Sequence, residues 1–287
     1  MTPQFFDIIP APVHLAPFVR RFLYANRALE EPAPLSPKPT GYFYFSNFFA
    51  PDRLQIKFDI DDKLVMLRAK WNMAGQITDQ RIQGWAEKEL RVVFCELSAT
   101  ALYRLYGIHG EVMTGLAGDM QHFMPGSETL LKDCFRLDEN ASRDEHIAEA
   151  VDYFERLIVD ARDGDKDVER AVELYEAANG AVSVADVCSE LDISQRHLAR
   201  KFKRIVGVPP RFFGQVLQIN WALGLMYFGD SSVLSKIAQD AGFFDQAHFN
   251  RAMQKFFNES PMEFLKSNHI QLITFLATSR KFSTVDD

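Results

Sequence analysis

The chain has 287 residues, 47% of them hydrophobic and 25% charged, with a formal net charge of −7. That length allows two well-buried domains, and the composition is that of an ordinary globular protein. No apolar run approaches the roughly 20 residues of a membrane span. The N-terminus MTPQFFDIIPAP lacks a signal-peptide layout, and the scattered Cys95, Cys134 and Cys188 read as buried reduced thiols. A cytoplasmic protein with no membrane partner is expected.

Residues 28–40, with Pro32, Pro34, Pro37 and Pro39, cannot form a helix and are expected as an extended arm or loop. Alternating or apolar runs follow at Gly41–Asn47, Arg53–Ile60, Lys63–Trp71 and Leu90–Leu97, spaced by Ala50-Pro51-Asp52 and Asp61-Asp62. They predict antiparallel strands of a small barrel or sandwich. Ser98–Tyr106 predicts a short helix ended at Gly107. Over Arg143–Ala161 the period turns helical, with Ile147, Val151, Phe154 and Ile158 on one face, which suits a core helix and a dimer helix alike. The polar break Asp163-Gly164-Asp165 divides a first domain, 1–163, from a second, 166–287. The second is read as all helix: Asp167–Ala178, a long helix near Arg211–Phe228, a tail helix from Pro261, and two further helix pairs.

Those pairs are one pattern written twice, over residues 181–213 and 231–264. Val187 corresponds to Ile237 and Ile193 to Phe243. After a one-residue insertion, Leu198 corresponds to Phe249, Arg200 to Arg251, Phe202 to Met253, Pro210 to Pro261 and Phe213 to Phe264. Each copy is a short capped helix, a tight turn and a second amphipathic helix, which is the layout of a helix-turn-helix. Ser183 with Asp186, and Ser260 with Glu263, fit a hydroxyl cap and an acid three residues on; Ser194 and Asp245 suit the starts of the second helices.

At 100° per residue, Leu198, Phe202 and Ile205 fall on the inner side of the first of these second helices. Arg196, Arg200 and Lys203 lie opposite, flanked by Gln195 and Ala199, with Lys201 and Arg204 further round and suited to phosphates. In the second copy Phe249, Met253 and Phe256 point in. Ala247, Arg251 and Gln254 point out, flanked by Gln246 and Asn250. Arginine forks match guanine and amides match adenine in the major groove. The stretch 194–211 holds six basic residues and no acid, whereas residues 1–165 carry 18 Lys/Arg against 25 Asp/Glu. The local patch, not the net charge, governs attraction to phosphates.

The residues Val184-Ala185-Asp186-Val187, Ser194 to Lys203 (SQRHLARKFK), Ile237-Ala238 and Ala241 to Arg251 (AGFFDQAHFNR) resemble the AraC/XylS transcription regulators. The resemblance implies that Arg196, Ala199 and Arg200, and Gln246, Asn250 and Arg251, meet bases. It implies an α+β chain: an N-terminal cupin-like β-barrel or sandwich effector domain with C-terminal helices that pair two subunits, then an all-α tandem helix-turn-helix domain. The implied partners are a double-stranded DNA operator, a small-molecule or nucleotide effector, a second copy of the chain and, for an activator, RNA polymerase. Asn258 stands where the family has Gly, and Gln218 where its linking helix carries Arg; Ala199 can at most touch a thymine methyl.

His14, His109, His122 and His146 are isolated, and no His-x-His pair occurs, so neither a metal site nor a cofactor is expected. A cupin-type enzyme with a helical appendage is the disfavoured reading. For the effector, Arg20-Arg21 and Arg27 precede Ser36-Pro37-Lys38-Pro39-Thr40-Gly41-Tyr42, a layout that resembles the PilZ-type arrangement for cyclic di-GMP. Its spaced arginine pattern is not literally present. Arg20, Arg21, Arg27, Lys38, Thr40, Gly41 and Tyr42 are the candidate contacts. Two other readings stand beside it: a solvated basic helix over Pro17–Asn26, and a small apolar or aromatic effector in a pocket lined by Phe43, Phe45 and Phe58.

Overall fold

Period-two burial of apolar side chains shapes the first part of the chain into two antiparallel sheets. A computed structural model describes residues 6–34, 38–50, 56–60, 63–67, 70–78, 83–229, 231–266 and 276, with backbone alone at 33–34, 56–60, 63–67 and 83–84. The strands are β1 (Asp7–Pro10), β2 (Val19–Ala28), β3 (Ala33–Pro34), β4 (Phe43–Phe48), β5 (Ile56–Ile60), β6 (Lys63–Leu67), β7 (Trp71–Ala74), β8 (Gln83–Ala86), β9 (Glu89–Leu97) and β10 (Ala117–Asp119). One sheet runs in the order β1-β2-β9-β4-β7-β10 and the other β3-β8-β5-β6. Phe22 and Tyr24 of β2, Phe43 and Phe45 of β4, and Val93 and Cys95 of β9 share one face. Leu23, Ala25, Phe48 and Val92 share the other, and meet Ala86 of the second sheet.

The first face is covered by helices: α1 (Ala101–Tyr106), α2 (Gly110–Met113), α3 (Met120–Phe123), α4 (Glu128–Cys134) and α5 (Arg143–Val159). Ser142 and Glu145 form a capping box at the start of α5. Its Tyr153 and Phe154 lie on Phe45 at 5.1 and 6.1 Å. The apolar stripe of α5 is thus spent on its own domain's core, with Ile147, Val151 and Ile158 half-buried.

The second part is helical: α6 (Lys166–Ala177), α7 (Val184–Leu191), α8 (Gln195–Val206), α9 (Pro210–Phe228), α10 (Leu234–Asp240), α11 (Gln246–Phe257) and α12 (Pro261–Lys266). Among the described residues no helix is long and apolar enough to cross a membrane. The two parts share a core, since Tyr42 and Ala99 belong to the apolar cluster of the helical part.

Three expectations need correction. Pro17–Asn26 is not a basic helix but most of β2: Phe22, Leu23, Tyr24 and Ala25 are all buried, so both faces of the strand are covered and the alternation is erased. The run Lys63–Trp71 is two strands that sit in different sheets. Phe43 and Phe45 do not line a pocket; both are fully buried, with Phe135 and Tyr153 stacked on Phe45 at 5.5 and 5.1 Å. Arg53 to Gln55, Ser36-Pro37 and the side chain of Phe58 lie outside the described residues.

His146 of α5 is fully buried, stacks on Phe49 at 3.9 Å and bonds through Nε2 to the Asp138 carbonyl at 3.0 Å. Burial lowers its pKa from the ordinary 6.5. The unfolded chain therefore takes up a proton that the folded chain refuses. Stability is whole above pH 6.5 and is lost as the pH falls through that value. The melting temperature should drop between about pH 7 and pH 5 in scanning calorimetry, and His146→Gln should flatten that limb.

Candidate nucleic-acid interface

Each helix pair is shaped by local capping. Ser183 accepts from the Asp186 N–H at the start of α7, and Asp192 leaves the helix in the left-handed conformation, φ 51°. Ser194 then accepts from the His197 N–H to start α8. In the second pair the left-handed residue is Gly242, φ 75°, and Asp245 accepts from His248 at 2.6 Å to start α11. Asn258 ends α11 at φ 54°, the conformation that Asn tolerates in place of Gly.

The inner faces pack as their period requires. Leu198, Phe202, Ile205 and Val206 of α8 are buried, as are Phe249, Met253, Phe256 and Phe257 of α11. Helix α9 serves both: Phe213 meets Phe202 at 5.4 Å, and Phe212 meets Phe256 at 5.3 Å. Gln218 of α9 donates its amide to the Ala241 carbonyl at 3.1 Å, tying the linking helix to the second turn. At 19 residues α9 is about 28 Å long, close to one turn of DNA.

On the outer faces Gln195, Arg196, Ala199, Arg200, Lys203 and Arg204 of α8 are exposed, as are Gln246, Asn250 and Arg251 of α11. Lys201 is placed differently. Its Nζ lies 3.0 Å from Asp165 and 2.7 Å from Asp167, at the start of α6, and hydrogen bonds to Asp167 and Asp165 raise its pKa. Arg204 turns to the first domain, with Nε 3.1 Å from His109 Nε2. There α2 docks on the end of α8: Thr114 donates to the Gly207 carbonyl at 2.7 Å, and a β-carbon on Gly110 would come 2.4 Å from the Ile205 carbonyl oxygen. A cleft of about 480 Å³ lies beside this contact, lined by Tyr103, Glu111, Asp163, Asp165, Arg200 and Arg204.

The candidate effector residues fall on a seam between the two parts. Arg20 donates to Glu96 at 3.0 Å and to Glu176 of α6 at 2.9 Å, with its guanidinium 3.9 Å over the Tyr42 ring. Tyr42 donates to the same Glu176 at 2.8 Å, while Arg21 and Tyr44 donate to Glu96 at 3.1 and 3.0 Å. Thr40 is buried, the Pro39 carbonyl accepts from Asn220 of α9, and Gly41, φ 91°, faces Phe213 closely enough that a β-carbon would lie 3.2 Å from it. Lys38 is half-buried, and desolvation lowers its pKa against the pull of Glu259. Arg27 does not converge with the others, because seven strand residues carry it about 23 Å from Arg20. The carboxylates that hold the arginines were missed from sequence; Glu96 and Glu176 carry no local signal of that role.

Among the described residues no group of His, Cys, Asp and Glu is placed to hold a metal, and all three cysteines are free and buried.

Comparison with known proteins bears on the helical part. A family profile described as "Helix-turn-helix domain" matches residues 187–267. The chain is similar to the "Uncharacterized HTH-type transcriptional regulator YidL" of Escherichia coli K12, at 30% identity over 111 residues, 37% of either chain. The match thus spans little over a third of that curated relative. Among solved structures, a probable AraC family transcriptional regulator from Rhodopseudomonas palustris is 26% identical, covering 36% of this chain and 96% of that one, with a TM-score of 0.32. ToxT from Vibrio cholerae O395, bound to (E)-4-(8-methylnaphthalen-1-yl)but-3-enoic acid, is 15% identical, covering 94% of this chain and all of that one, with a TM-score of 0.46. The repeated, capped helix pairs and the profile match over residues 187–267 identify a helix-turn-helix domain in the C-terminal part of the chain, similar to that of an HTH-type transcriptional regulator.

Proposed function

We propose that the protein is a sequence-specific DNA-binding transcription regulator in which α8 and α11 enter successive major-groove segments. The observation that carries this reading is the pair of capped recognition helices with polar outer faces, Arg196 and Arg200 on one and Gln246, Asn250 and Arg251 on the other, all exposed. The first domain would set their availability, because α2 and the Glu176 node both tie it to the helical part. The partners proposed beside DNA are a second copy of the chain and, for an activator, RNA polymerase.

The effector we propose for the seam is cyclic di-GMP, held through its phosphates by Arg20 and Arg21 beside Thr40 and Tyr42. Its binding would compete with the chain's own carboxylates. The Arg20–Glu176 pair is the accessible one, with both side chains about a third exposed (34% and 32%). An exposed pair is weak, of order 0–1 kcal/mol, so a doubly charged ligand can displace Glu176 and loosen the two parts. In calorimetry with the whole chain, cyclic di-GMP should bind at micromolar concentration and raise the melting temperature. An Arg20→Gln change, which leaves Arg21 on Glu96, should abolish both effects, with the ligand-free melting temperature as the check on the fold. Absence of heat, or binding that ignores Arg20→Gln, removes this ligand from the account.

For DNA binding, both the whole chain and residues 166–287 should retain fragments from the protein's genomic neighbourhood over random DNA in gel-shift titrations. Arg200→Ala should relax the preference at one base pair by ~1–3 kcal/mol, whereas Lys203→Ala should weaken all sequences alike and lower the salt slope by about one. Equal binding to every sequence would refute the reading.

Lys201 is held by Asp165 and Asp167, so its effect should be conditional. An Asp165→Asn, Asp167→Asn double change should free the ammonium for a phosphate and steepen the salt slope by about one. An unchanged slope would leave Lys201 a purely structural residue.

A further inference from the structure

The two helix pairs differ by one residue, and its position is informative. In the first pair a single residue, Ile193, separates left-handed Asp192 from the cap Ser194, and it is half-buried. In the second pair two residues, Phe243 and Phe244, separate left-handed Gly242 from the cap Asp245. Phe243 takes the place of Ile193: it is 6% exposed, with its ring 5.2 Å from Phe249 in the fourth position of α11. The residue before a helix cap ordinarily packs against that fourth position. Here Phe243 already does so, and the extra residue is left outside.

Phe244 is 93% exposed, the most exposed of the large hydrophobic side chains among the described residues. Nothing in the packing of the turn holds it. The exposed side of α11 next to it presents Gln246, Ala247, Asn250, Arg251 and Gln254, with no second large apolar group. A docking surface for another protein is a contiguous apolar patch, so a lone ring in polar surroundings argues for a small apolar target. Phe244 adjoins the N-terminal end of α11, the end of a recognition helix that contacts base edges. The one apolar group on the major-groove edge of a base pair is the thymine 5-methyl.

We propose that Phe244 is a specificity residue, whose ring covers the 5-methyl group of one thymine in the segment read by α11. This rests on the DNA-binding reading above. It adds an apolar determinant to a helix whose other outward groups are hydrogen-bonding or small.

The test starts with the whole chain and a binding site enriched from random duplexes. Each thymine of that site is then replaced by deoxyuracil, which removes the methyl and leaves the hydrogen-bonding edge unchanged. The wild-type chain should lose about fourfold in affinity at one thymine in the α11 segment, the worth of one buried methyl group. Phe244→Ala should bind the unmodified site with a similar loss and should no longer respond to that deoxyuracil, while Phe244→Leu should restore the response. A residue this exposed can be changed without loss of fold, which an unaltered melting temperature checks. If Phe244→Ala binds as tightly as wild type, or still loses affinity on the same replacement, the proposal is overturned. A chain that enriches no sequence overturns the DNA-binding reading and this proposal with it. A chain that enriches a site but ignores every deoxyuracil overturns this proposal alone.

Discussion

The backbone contact at Gly110 constrains the rest of the structure. With no β-carbon, Gly110 lets α2 sit against the last turn of α8, where any side chain would meet the Ile205 carbonyl oxygen and the Gly207 nitrogen within 2.7 Å. Gly207 ends α8 at φ 91°, a conformation that also favours glycine. The contact is therefore backbone on backbone, reinforced by Thr114. It places the first domain on one edge of α8 while Arg196 and Arg200 stay exposed on another. A movement of α2 cannot be absorbed by a flexible side chain and must reach α8 directly.

The second tie is electrostatic and of a different strength. Glu96 is wholly buried and satisfied by Arg20, Arg21 and Tyr44, so removing both arginines would leave its charge uncompensated in the protein interior, and removing Tyr44 would take away one of its hydrogen bonds. Glu176, partly exposed and shared by Arg20 and Tyr42, is the weaker member. The node thus has a fixed half inside the first domain and an exchangeable half that reaches α6. Charges that read as a ligand clamp along the chain are, in the fold, largely engaged with each other.

How much of this was legible in the sequence depends on the range of the interactions. The recognition helices were readable because their determinants are local: Leu198 and Phe202 recur at helical spacing, Ser194 and Asp245 cap within three residues, and Asn258 ends α11 in place. The long-range arrangement was not. Glu96, the partner of Arg20 and Arg21, lies 76 and 75 residues away from them, and Glu176 lies 156 away from Arg20, and no local pattern marks either. The same holds for β2, whose two buried faces remove the alternation that identifies a strand. The docking of α2 was equally invisible, since Gly110 resembles any turn glycine until the chain folds.

The central claim is that one chain presents two recognition helices to two successive major-groove segments. Dimethyl sulfate protection reports it most directly, because guanine N7 lies in that groove. With the whole chain on its enriched site, each bound subunit should protect two guanine clusters about 10–10.5 base pairs apart on one face of the duplex. Protection of a single cluster per subunit, or none in the major groove, would contradict the account.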